Sequence, residues 1–274
     1  MNAETLAQHA PLLRNKVAVI YGAGGAIGGA IARAFAREGA KVFATGRAQA
    51  AVASLARDVV TSGGFVEAAE VDALDENAVD RHLASVVEKA GRIDISFNAI
   101  GIPDQQIVGV PLIEMDLEQF SLPIAAYTRS YFLTARLAAK RMIPNQSGVI
   151  MTVSALPARL GTPLNGGYGP AMAAKEALTR DLSSALAPRG IRVVGLRPHG
   201  MPETSMMREL YDIKASAMGG ITWEQFQMYI ANMSHSKRVM KLAEMAEMAA
   251  FIASDRASGM TGTIVNLTMG SLDD

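Results

Sequence analysis

The stretch that decides the fold runs from Val17 to Gly28 and reads V-A-V-I-Y-G-A-G-G-A-I-G. Its first residues are apolar and rich in β-branched side chains, which are typical of a buried strand. The residues that follow the glycines have the spacing of an amphipathic helix. Glycines between a strand and a helix let the backbone approach a pyrophosphate, and the helix N-terminus supplies free N–H groups. We therefore predict a dinucleotide-binding α/β fold; the alternative is a tight turn that binds no ligand.

The glycine spacing differs from the G-x-G-x-x-G pattern of the long dinucleotide-binding dehydrogenases, because Ile27 occupies the third glycine position. The position of the cluster, after an apolar strand and before a helix, still favours a phosphate-binding turn. We predict that this turn contacts the cofactor through Gly22, Gly24, Gly25, Ile27 and Gly28.

Strands and helices alternate along nearly the whole chain, which predicts a doubly wound parallel sheet with helices on both faces, a Rossmann fold. The predicted strands are 16–21, 41–45, 65–71, 92–98, 148–154, 191–197 and 263–268. The predicted helices are 26–38, 48–60, 76–90, 117–142 (interrupted near its start by Pro123), 167–187 and 241–253. No repeat or linker divides the sequence, so residues 1–274 are predicted to form a single domain with a lid insertion at about 200–236.

Composition excludes several classes of protein. The net charge is zero, which argues against a nucleic-acid partner or an anionic membrane surface. Cysteine is absent, so disulfides and thiol chemistry are excluded, and no cluster of metal ligands is evident. No apolar run is long enough for a membrane span, and the first residues do not resemble a secretion signal. The expectation is a cytoplasmic protein.

The chain resembles the short-chain dehydrogenase/reductase family from residue 16 to about residue 270. The T-G-x-x-x-G-x-G turn of that family is similar to the segment that begins at Tyr21, with Tyr21 in place of the threonine and Ala26 in place of the middle glycine. The added methyl group of Ala26 is tolerable if its backbone keeps a negative φ. The resemblance implies a Rossmann fold that binds a nicotinamide dinucleotide.

Further cofactor contacts are implied by the same resemblance. An acidic residue after the third strand contacts adenine in relatives, the N-N-A-G motif passes the adenine ribose, and the P-G motif flanks the nicotinamide. Here these motifs look like Asp72, Asn98-Ala99-Ile100-Gly101 and Pro198-His199-Gly200, with Thr204 near the carboxamide position.

The end of the second strand indicates which cofactor is preferred. An aspartate at this position would bind both ribose hydroxyls and repel a 2′-phosphate. This chain has Gly46 there, followed by Arg47, whose guanidinium favours a phosphate. We therefore predict NADP as the cofactor.

The catalytic set of the family is incomplete in this chain. Relatives use asparagine, serine, tyrosine and lysine, and the resemblance assigns the proton-donating tyrosine to Tyr168. The lysine position holds Met172, the serine position Ala155 and the asparagine position Tyr127. A tyrosine without a neighbouring cation is expected to be a poor acid at neutral pH, and therefore turnover should be slow.

Three neighbouring residues are candidates to replace the missing groups. Ser154 precedes the serine position by one residue, and we assign it with Tyr168 to the catalytic site. Lys175 lies two helical turns from Tyr168, about 10.5 Å along the axis, and is expected to be solvated or at an interface. His199 is expected to hydrogen-bond backbone or, alternatively, to titrate beside the nicotinamide.

The lid segment is rich in methionine, which suits a bulky apolar ligand because methionine is flexible and polarisable. Met206, Met207 and Met218 are candidates to face this ligand, whereas Met240, Met245 and Met248 are expected to fill the core. The partner is thus predicted to be a small-molecule substrate of apolar character, not a macromolecule.

Three functions remain open at this point. The first is an NADP-dependent oxidoreductase acting on a carbonyl or an alcohol. The second is a pseudo-enzyme that binds NADP without hydride transfer, and the third is a lyase or cyclase on the same fold. As in relatives, a homotetramer or dimer is expected through the long helices around Tyr131 and Ala174, where alanines form small apolar surfaces.

Overall fold

The computed structural model describes residues 10–103, 107–216 and 218–273 of the chain. Within these residues, seven parallel strands form one sheet. The strands are β1 (Val17–Tyr21), β2 (Lys41–Gly46), β3 (Phe65–Glu70), β4 (Ile95–Asn98), β5 (Gly148–Val153), β6 (Ile191–Pro198) and β7 (Thr263–Leu267). Their order in the sheet is β3-β2-β1-β4-β5-β6-β7. The predicted doubly wound α/β fold is therefore confirmed.

Eight helices accompany these strands in the described residues. They are α1 (Ala26–Arg37), α2 (Gln49–Thr61), α3 (Glu76–Ala90), α4 (Leu117–Met142), α5 (Tyr168–Leu186), α6 (Ser205–Lys214), α7 (Trp223–Asn232) and α8 (Leu242–Ala253). No helix of the described ranges is long and apolar enough to cross a membrane.

Side-chain alternation along the strands builds two apolar cores, one on each face of the sheet. In β1, Ala18 and Ile20 face the core that includes α1, α2 and α8. Val19 and Tyr21 face the opposite core, which includes α3, α4 and α5. The strands are thus buried on both sides, as expected of a parallel sheet covered by helices. Met240 and Met245 are buried in the first core, and Met248 packs against it, as predicted from the sequence.

Two details of the predicted elements are wrong. The fourth strand begins at Ile95 instead of residue 92, and just before it the carboxylate of Asp94 accepts a hydrogen bond from the Val17 N–H at 2.9 Å. The interruption expected at Pro123 does not occur, since α4 runs continuously through it. Pro123 lies in the second turn of α4, where the missing N–H costs one hydrogen bond at the helix start.

The predicted lid segment contains α6 and α7. Tyr211, Trp223 and Phe226 form an aromatic cluster between them, with ring centroids 5.4–5.9 Å apart. The guanidinium of Arg208 lies 4.0 Å above the Trp223 ring. These contacts hold the two lid helices together as one unit above the sheet's carboxyl edge. The predicted single domain over residues 1–274 includes 1–9, 104–106, 217 and 274, which lie outside the described residues.

Candidate functional site

The sheet order places the predicted site residues at one edge. Strands β1 and β4 are neighbours, and the chain leaves β1 toward β2 on one side and returns to β4 on the other. This reversal opens a crevice beyond the carboxyl ends of the strands, where ligands bind in open α/β sheets. The glycine turn follows β1, Asn98 ends β4, Ser154 follows β5, and Pro198 ends β6.

The glycine turn is shaped for close backbone approach. Gly22 has φ of +78°, and a Cβ atom on it would lie 2.5 Å from the carbonyl oxygen of Ala99. A Cβ atom on Gly28 would lie 2.4 Å from the carbonyl oxygen of Gly22. Both contacts are with backbone that cannot move aside, so side chains are excluded at these two positions.

The start of α1 offers a place for an anion. Gly25 is the N-cap of the helix, and no side chain caps it. Uncapped N–H groups and the positive end of the helix dipole favour a phosphate. Gly24 and Gly25 are exposed, whereas Ile27 packs against the core and contributes its backbone. Ala26 is the first residue of α1, and its helical backbone accommodates the added methyl group. These residues fit the pyrophosphate of a dinucleotide.

At the end of β2, the structure disfavours an acidic side chain. A Cβ atom on Gly46 would lie 3.0 Å from Cγ2 of Val52. The neighbouring Arg47 is exposed at the same edge of the sheet. A side chain at the position where an aspartate would bind the ribose would therefore press on Val52, and a guanidinium lies next to it.

The predicted adenine contacts fall along β3 and β4. Asp72 is exposed just after β3, and its carboxylate accepts a hydrogen bond from the Leu74 N–H at 2.9 Å. Asn98 is buried, and its side chain donates to Oγ1 of Thr134 on α4 at 3.1 Å. The segment with Ala99 and Gly101 continues from β4 past the glycine turn, and the Ala99 N–H donates to the Tyr21 carbonyl at 2.9 Å.

On the predicted nicotinamide side, His199 and Thr204 are buried and hydrogen-bonded to the backbone. His199 follows Pro198, is 3% exposed, and donates its backbone N–H to the Leu267 carbonyl. Burial lowers the pKa of His199 below its ordinary value. Thr204 is the N-cap of α6, donating to the Met201 carbonyl at 2.8 Å and accepting from the Met207 N–H at 3.3 Å. Gly200 lies between His199 and Met201 against the Met207 side chain.

Tyr168 is the first residue of α5 and lies under the lid. Its hydroxyl is 3.9 Å from the sulfur of Met206, and its ring meets the Tyr127 ring edge to face at 5.8 Å. Apolar side chains pack around this pair. They include Ile102, Ile107, Val108, Ala155, Met172, Leu210 and Ile213. Of the lid methionines, Met206 contacts Tyr168 and Met207 borders Gly200.

Ser154 is buried, and its hydroxyl proton is already engaged. Ser154 donates to Oε1 of Glu176 at 2.6 Å. Glu176 in turn forms a two-point ion pair with Arg197, at 2.8 and 2.9 Å. All three side chains are 3% exposed or less. This network was not predicted from the sequence, although an arginine within the apolar strand β6 is a signal for a buried ionic partner.

The expectation that Lys175 is solvated or at an interface is wrong. Lys175 is 0% exposed and donates to the Val153 carbonyl at 2.7 Å. The reason lies in the face of α5 that packs on α4: Ala171, Met172, Lys175 and Thr179 are spaced three and four residues apart and are all buried. Met172 is 2% exposed, so the position that the resemblance assigns to the lysine is filled with apolar volume.

A second buried lysine joins the lid to the loop before Tyr168. Lys214, the last residue of α6, donates to the Pro163 carbonyl at 3.0 Å and to Oδ1 of Asn165 at 2.9 Å. Asn165 accepts from the Tyr168 N–H with its backbone carbonyl at 3.0 Å. Through Asn165, these hydrogen bonds connect the end of α6 to the first residue of α5. No cluster of metal-binding side chains occurs among the residues that the structure describes.

Comparisons with known proteins agree with this geometry. Residues 22–271 match the family model described as enoyl-(acyl carrier protein) reductase. The chain is 33% identical over 250 residues to the uncharacterized oxidoreductase YxbG of Bacillus subtilis, covering 91% of this chain and 88% of that one. It is 28% identical to the 3-oxoacyl-[acyl-carrier-protein] reductase FabG of Thermotoga maritima, over 94% of this chain and 98% of the relative. The crystal structure of sorbitol-6-phosphate 2-dehydrogenase SrlD from Erwinia amylovora superposes with a TM-score of 0.87 at 27% identity, covering 94% of this chain and 100% of that one.

Proposed function

The chain belongs to the short-chain dehydrogenase/reductase family of NAD(P)-binding oxidoreductases, and we propose that it transfers hydride slowly between NADP and an apolar carbonyl or alcohol. The observation that carries the proposal is the position of Tyr168. This residue begins α5 beside the carboxyl edge of the sheet, and its hydroxyl lies under the lid at Met206. The glycine turn after β1 is shaped to receive the dinucleotide at the same edge.

The chemistry divides between cofactor and protein. When bound, the reduced cofactor supplies the hydride that attacks the carbonyl carbon. Tyr168 donates its hydroxyl proton to the carbonyl oxygen, which leaves an alcohol and a tyrosinate, and the tyrosinate is reprotonated from solvent after the product has left. The apolar side chains around Tyr168 exclude water from the reacting atoms.

Ser154 is proposed as a helper that would polarise the carbonyl. To do so, its hydroxyl would have to exchange the hydrogen bond to Glu176 for one to the substrate. The ion pair with Arg197 opposes this exchange, because it holds Glu176 in place. Slow turnover follows from this competition and from the apolar Met172 at the lysine position.

We propose Arg47 as the residue that selects NADP. The guanidinium lies beside Gly46, at the end of the strand where a 2′-phosphate would project. For the adenine half of the cofactor, the other proposed contacts are the glycine turn, Asp72, Asn98-Ala99 and Gly101. Pro198, Gly200 and Thr204 are proposed for the nicotinamide half.

The substrate is proposed to be apolar. Lid residues Met206, Leu210 and Ile213 surround the Tyr168 hydroxyl side of the site. The nearby cation Lys214 is bound to Pro163 and Asn165. An apolar molecule could pack against these lid residues at little cost in desolvation of polar groups.

A homo-oligomer, a tetramer or a dimer, is also proposed through the long helices α4 and α5. Ala135, Ala138 and Ala139 are buried within the subunit and cannot contact a second copy. Phe132 on α4 is 46% exposed, and Ala173 on α5 is exposed. Light scattering tests this proposal, and a monomer at micromolar concentration would contradict it. A cytoplasmic location likewise stays a proposal from the sequence.

The activity is tested by following NADPH oxidation with a panel of apolar aldehydes and ketones. The wild-type chain should oxidise NADPH slowly, and Tyr168→Phe should abolish this activity while NADPH binding is kept. Tyr229→Phe is the matched control, because this tyrosine is 51% exposed on α7. Rapid turnover that survives Tyr168→Phe would disprove the assignment. If NADPH binds but is not consumed, the result would favour a pseudo-enzyme that binds the cofactor without hydride transfer.

A further inference from the structure

The ammonium group of Lys175 occupies a defined polar position inside the protein. Its Nζ donates to the Val153 carbonyl at 2.7 Å and lies 5.5 Å from the ring centroid of Tyr127 and 5.9 Å from that of Tyr131. Both rings belong to α4, and a ring face within about 6 Å attracts a cation. Among the described residues, no carboxylate pairs with Lys175, so the carbonyl and the two rings are its counterparts.

This position is connected to Tyr168 through direct contacts. The Tyr127 ring touches Lys175 with its face and meets the Tyr168 ring at 5.8 Å and 73°. The Tyr127 hydroxyl accepts a hydrogen bond from the Ile102 N–H at 3.4 Å. Val153, which accepts from Lys175, precedes Ser154 at the end of β5.

The surroundings of Lys175 hold it in one place. Its backbone carbonyl accepts from Oγ1 of Thr179 at 2.9 Å, and this hydroxyl lies 3.1 Å from that of Tyr131. Lys175, Thr179 and Tyr131 are all 0% exposed. A movement of the ammonium would therefore displace the rings on α4, because no solvent surrounds the group.

We propose that Lys175 is a positioning residue for Tyr168: its ammonium holds the Tyr127 ring in the orientation that fixes the Tyr168 ring under the lid. The proposal rests on the role of Tyr168 in the proposed function. The family's lysine position holds Met172, so a cation one turn farther along α5 supports the tyrosine through an aromatic ring. Lys175 does not contact substrate.

Protonation of Lys175 makes this support depend on pH. Burial lowers the pKa of Lys175 to about 7. The facing groups are Tyr127 and Tyr131 from α4 and the Val153 carbonyl from β5. The charged groups nearest in sequence and on β6, Glu176 and Arg197, are paired with each other. Burial raises the pKa of Tyr131 well above its ordinary value, so this ring stays neutral while Lys175 titrates. Loss of the proton removes the cation–π attraction to both rings.

The test is the pH dependence of the Tyr168 ring signals by NMR in the full chain labelled with ¹³C-tyrosine. Wild-type signals of Tyr127 and Tyr168 should shift together with a midpoint near the pKa of Lys175. Lys175→Met should remove this inflection from both rings. Lys175→Arg should keep the low-pH positions at every pH, because arginine does not deprotonate.

Two further variants separate positioning from simple loss of a buried charge. Tyr127→Leu removes the intervening ring, so Tyr168 should no longer respond although Lys175 still titrates, as read from ¹³Cε-lysine signals. Lys140→Met removes an exposed lysine from α4, the helix that carries Tyr127 and Tyr131, and should leave the inflection unchanged. An unchanged Tyr168 inflection in Lys175→Met or in Tyr127→Leu would overturn the proposal.

Kinetics give the second readout. If the chain turns over, Lys175→Met should lower kcat by about 10- to 100-fold, with KM for NADPH unchanged, and Lys175→Arg should recover part of the loss. If no substrate is consumed by the wild type, the proposed function fails, and the ring signals alone still decide whether Lys175 positions Tyr168.

Discussion

The two halves of the candidate site are built in different ways. The half at β1 and α1 is made from backbone: Gly22 and Gly28 exclude side chains by contact with neighbouring carbonyl oxygens, and the start of α1 carries no cap. The half around Tyr168 depends on side chains, and the resemblance predicts that Met172, Ala155 and Tyr127 occupy three of the four catalytic positions. A backbone site tolerates changes such as Ala26 because N–H groups do the binding, whereas a proton relay fails when one side chain changes.

The largest expected effect is a gain of activity when the catalytic side chains of the family are restored around Tyr168. Met172→Lys, Ala155→Ser and Tyr127→Asn together restore the family's set. Residues 172 and 175 lie three apart on one helix face, so two buried cations there would repel. We therefore expect the full gain only when Lys175→Met is added. General acid catalysis contributes roughly 100- to 10,000-fold, and NADPH oxidation measures it.

The corresponding control is the triple variant that keeps Lys175. It should be less stable to urea and less active than the fourfold variant. Equal activity of the two would show that Lys175 does not compete with a lysine at position 172. If neither variant oxidises NADPH faster than the wild type although both bind it, the slow turnover has a cause other than these four side chains.

The outcome for this half shows why sequence reasoning reached only part of the site. The resemblance assigned roles to Tyr168 and to the three substituted positions because these lie at fixed spacing along the chain. The environment of Lys175 depends on α4 rings that are more than forty residues away in sequence. The engagement of Ser154 likewise depends on Glu176 and on Arg197 from another strand. Long-range side-chain partners of this kind leave weak traces in a single sequence.

The backbone half was more predictable, since the glycine turn, its strand and its helix are adjacent in sequence. The fold followed from the alternation of strands and helices and needed only small changes of boundary. The alanines of α4 were misjudged because a single helix sequence does not say which small residues face the subunit's own core. Packing against β4, β5 and α5 decides that.

Burial of Lys175 should be visible in the pH dependence of stability. The pKa of Lys175 in the folded chain is about 7, below the 10.5 of an ordinary lysine. Between these values the unfolded chain binds more protons, so the folded state gains stability as pH rises. The wild type should gain up to about 1.4 kcal/mol per pH unit relative to Lys175→Met from pH 7 to 10.

Urea unfolding of both proteins at pH 6, 8 and 9.5 measures this difference. Below pH 7 the difference between the two proteins should be constant, because Lys175 is protonated in both folded and unfolded states. A difference for Lys175→Met that stays flat from pH 6 to 9.5 would show that the ammonium remains charged inside the protein.

A smaller effect is expected at the cofactor end of the backbone half. Arg47→Ala should weaken NADPH binding and leave NADH binding unchanged, since the guanidinium is proposed to contact the 2′-phosphate. A charge-assisted hydrogen bond contributes about 1.5–3 kcal/mol, which corresponds to roughly tenfold or more in Kd. Calorimetry with both cofactors measures the preference.

Arg159→Ala, at the loop after β5, serves as the control for loss of a positive charge and should leave the preference intact. Equal affinities of the wild type for NADPH and NADH would contradict the assignment of Arg47. A preference for NADPH that survives Arg47→Ala would place the selecting group elsewhere along β2 and α2.

The smallest effect concerns Tyr21, which stands in the glycine turn where relatives have threonine. Its ring is buried in the core with α3 and α4, and its hydroxyl has no hydrogen-bond partner among the described residues. Burial raises its pKa well above the ordinary value, so the group stays neutral. Tyr21→Phe removes an unsatisfied hydroxyl and should stabilise the fold by about 1 kcal/mol.

Tyr21→Thr provides the opposite test, since it restores the residue of the family but empties a volume that the ring now fills. It should destabilise the chain by about 3 kcal/mol, measured by urea unfolding, while Tyr21→Phe leaves NADPH affinity unchanged. Such a pair of results would show that even in the backbone half the core has adapted to its own side chain. If Tyr21→Phe instead destabilised the fold or weakened NADPH binding, the hydroxyl would have a partner at the turn, and the two halves of the site would differ less than their geometry indicates.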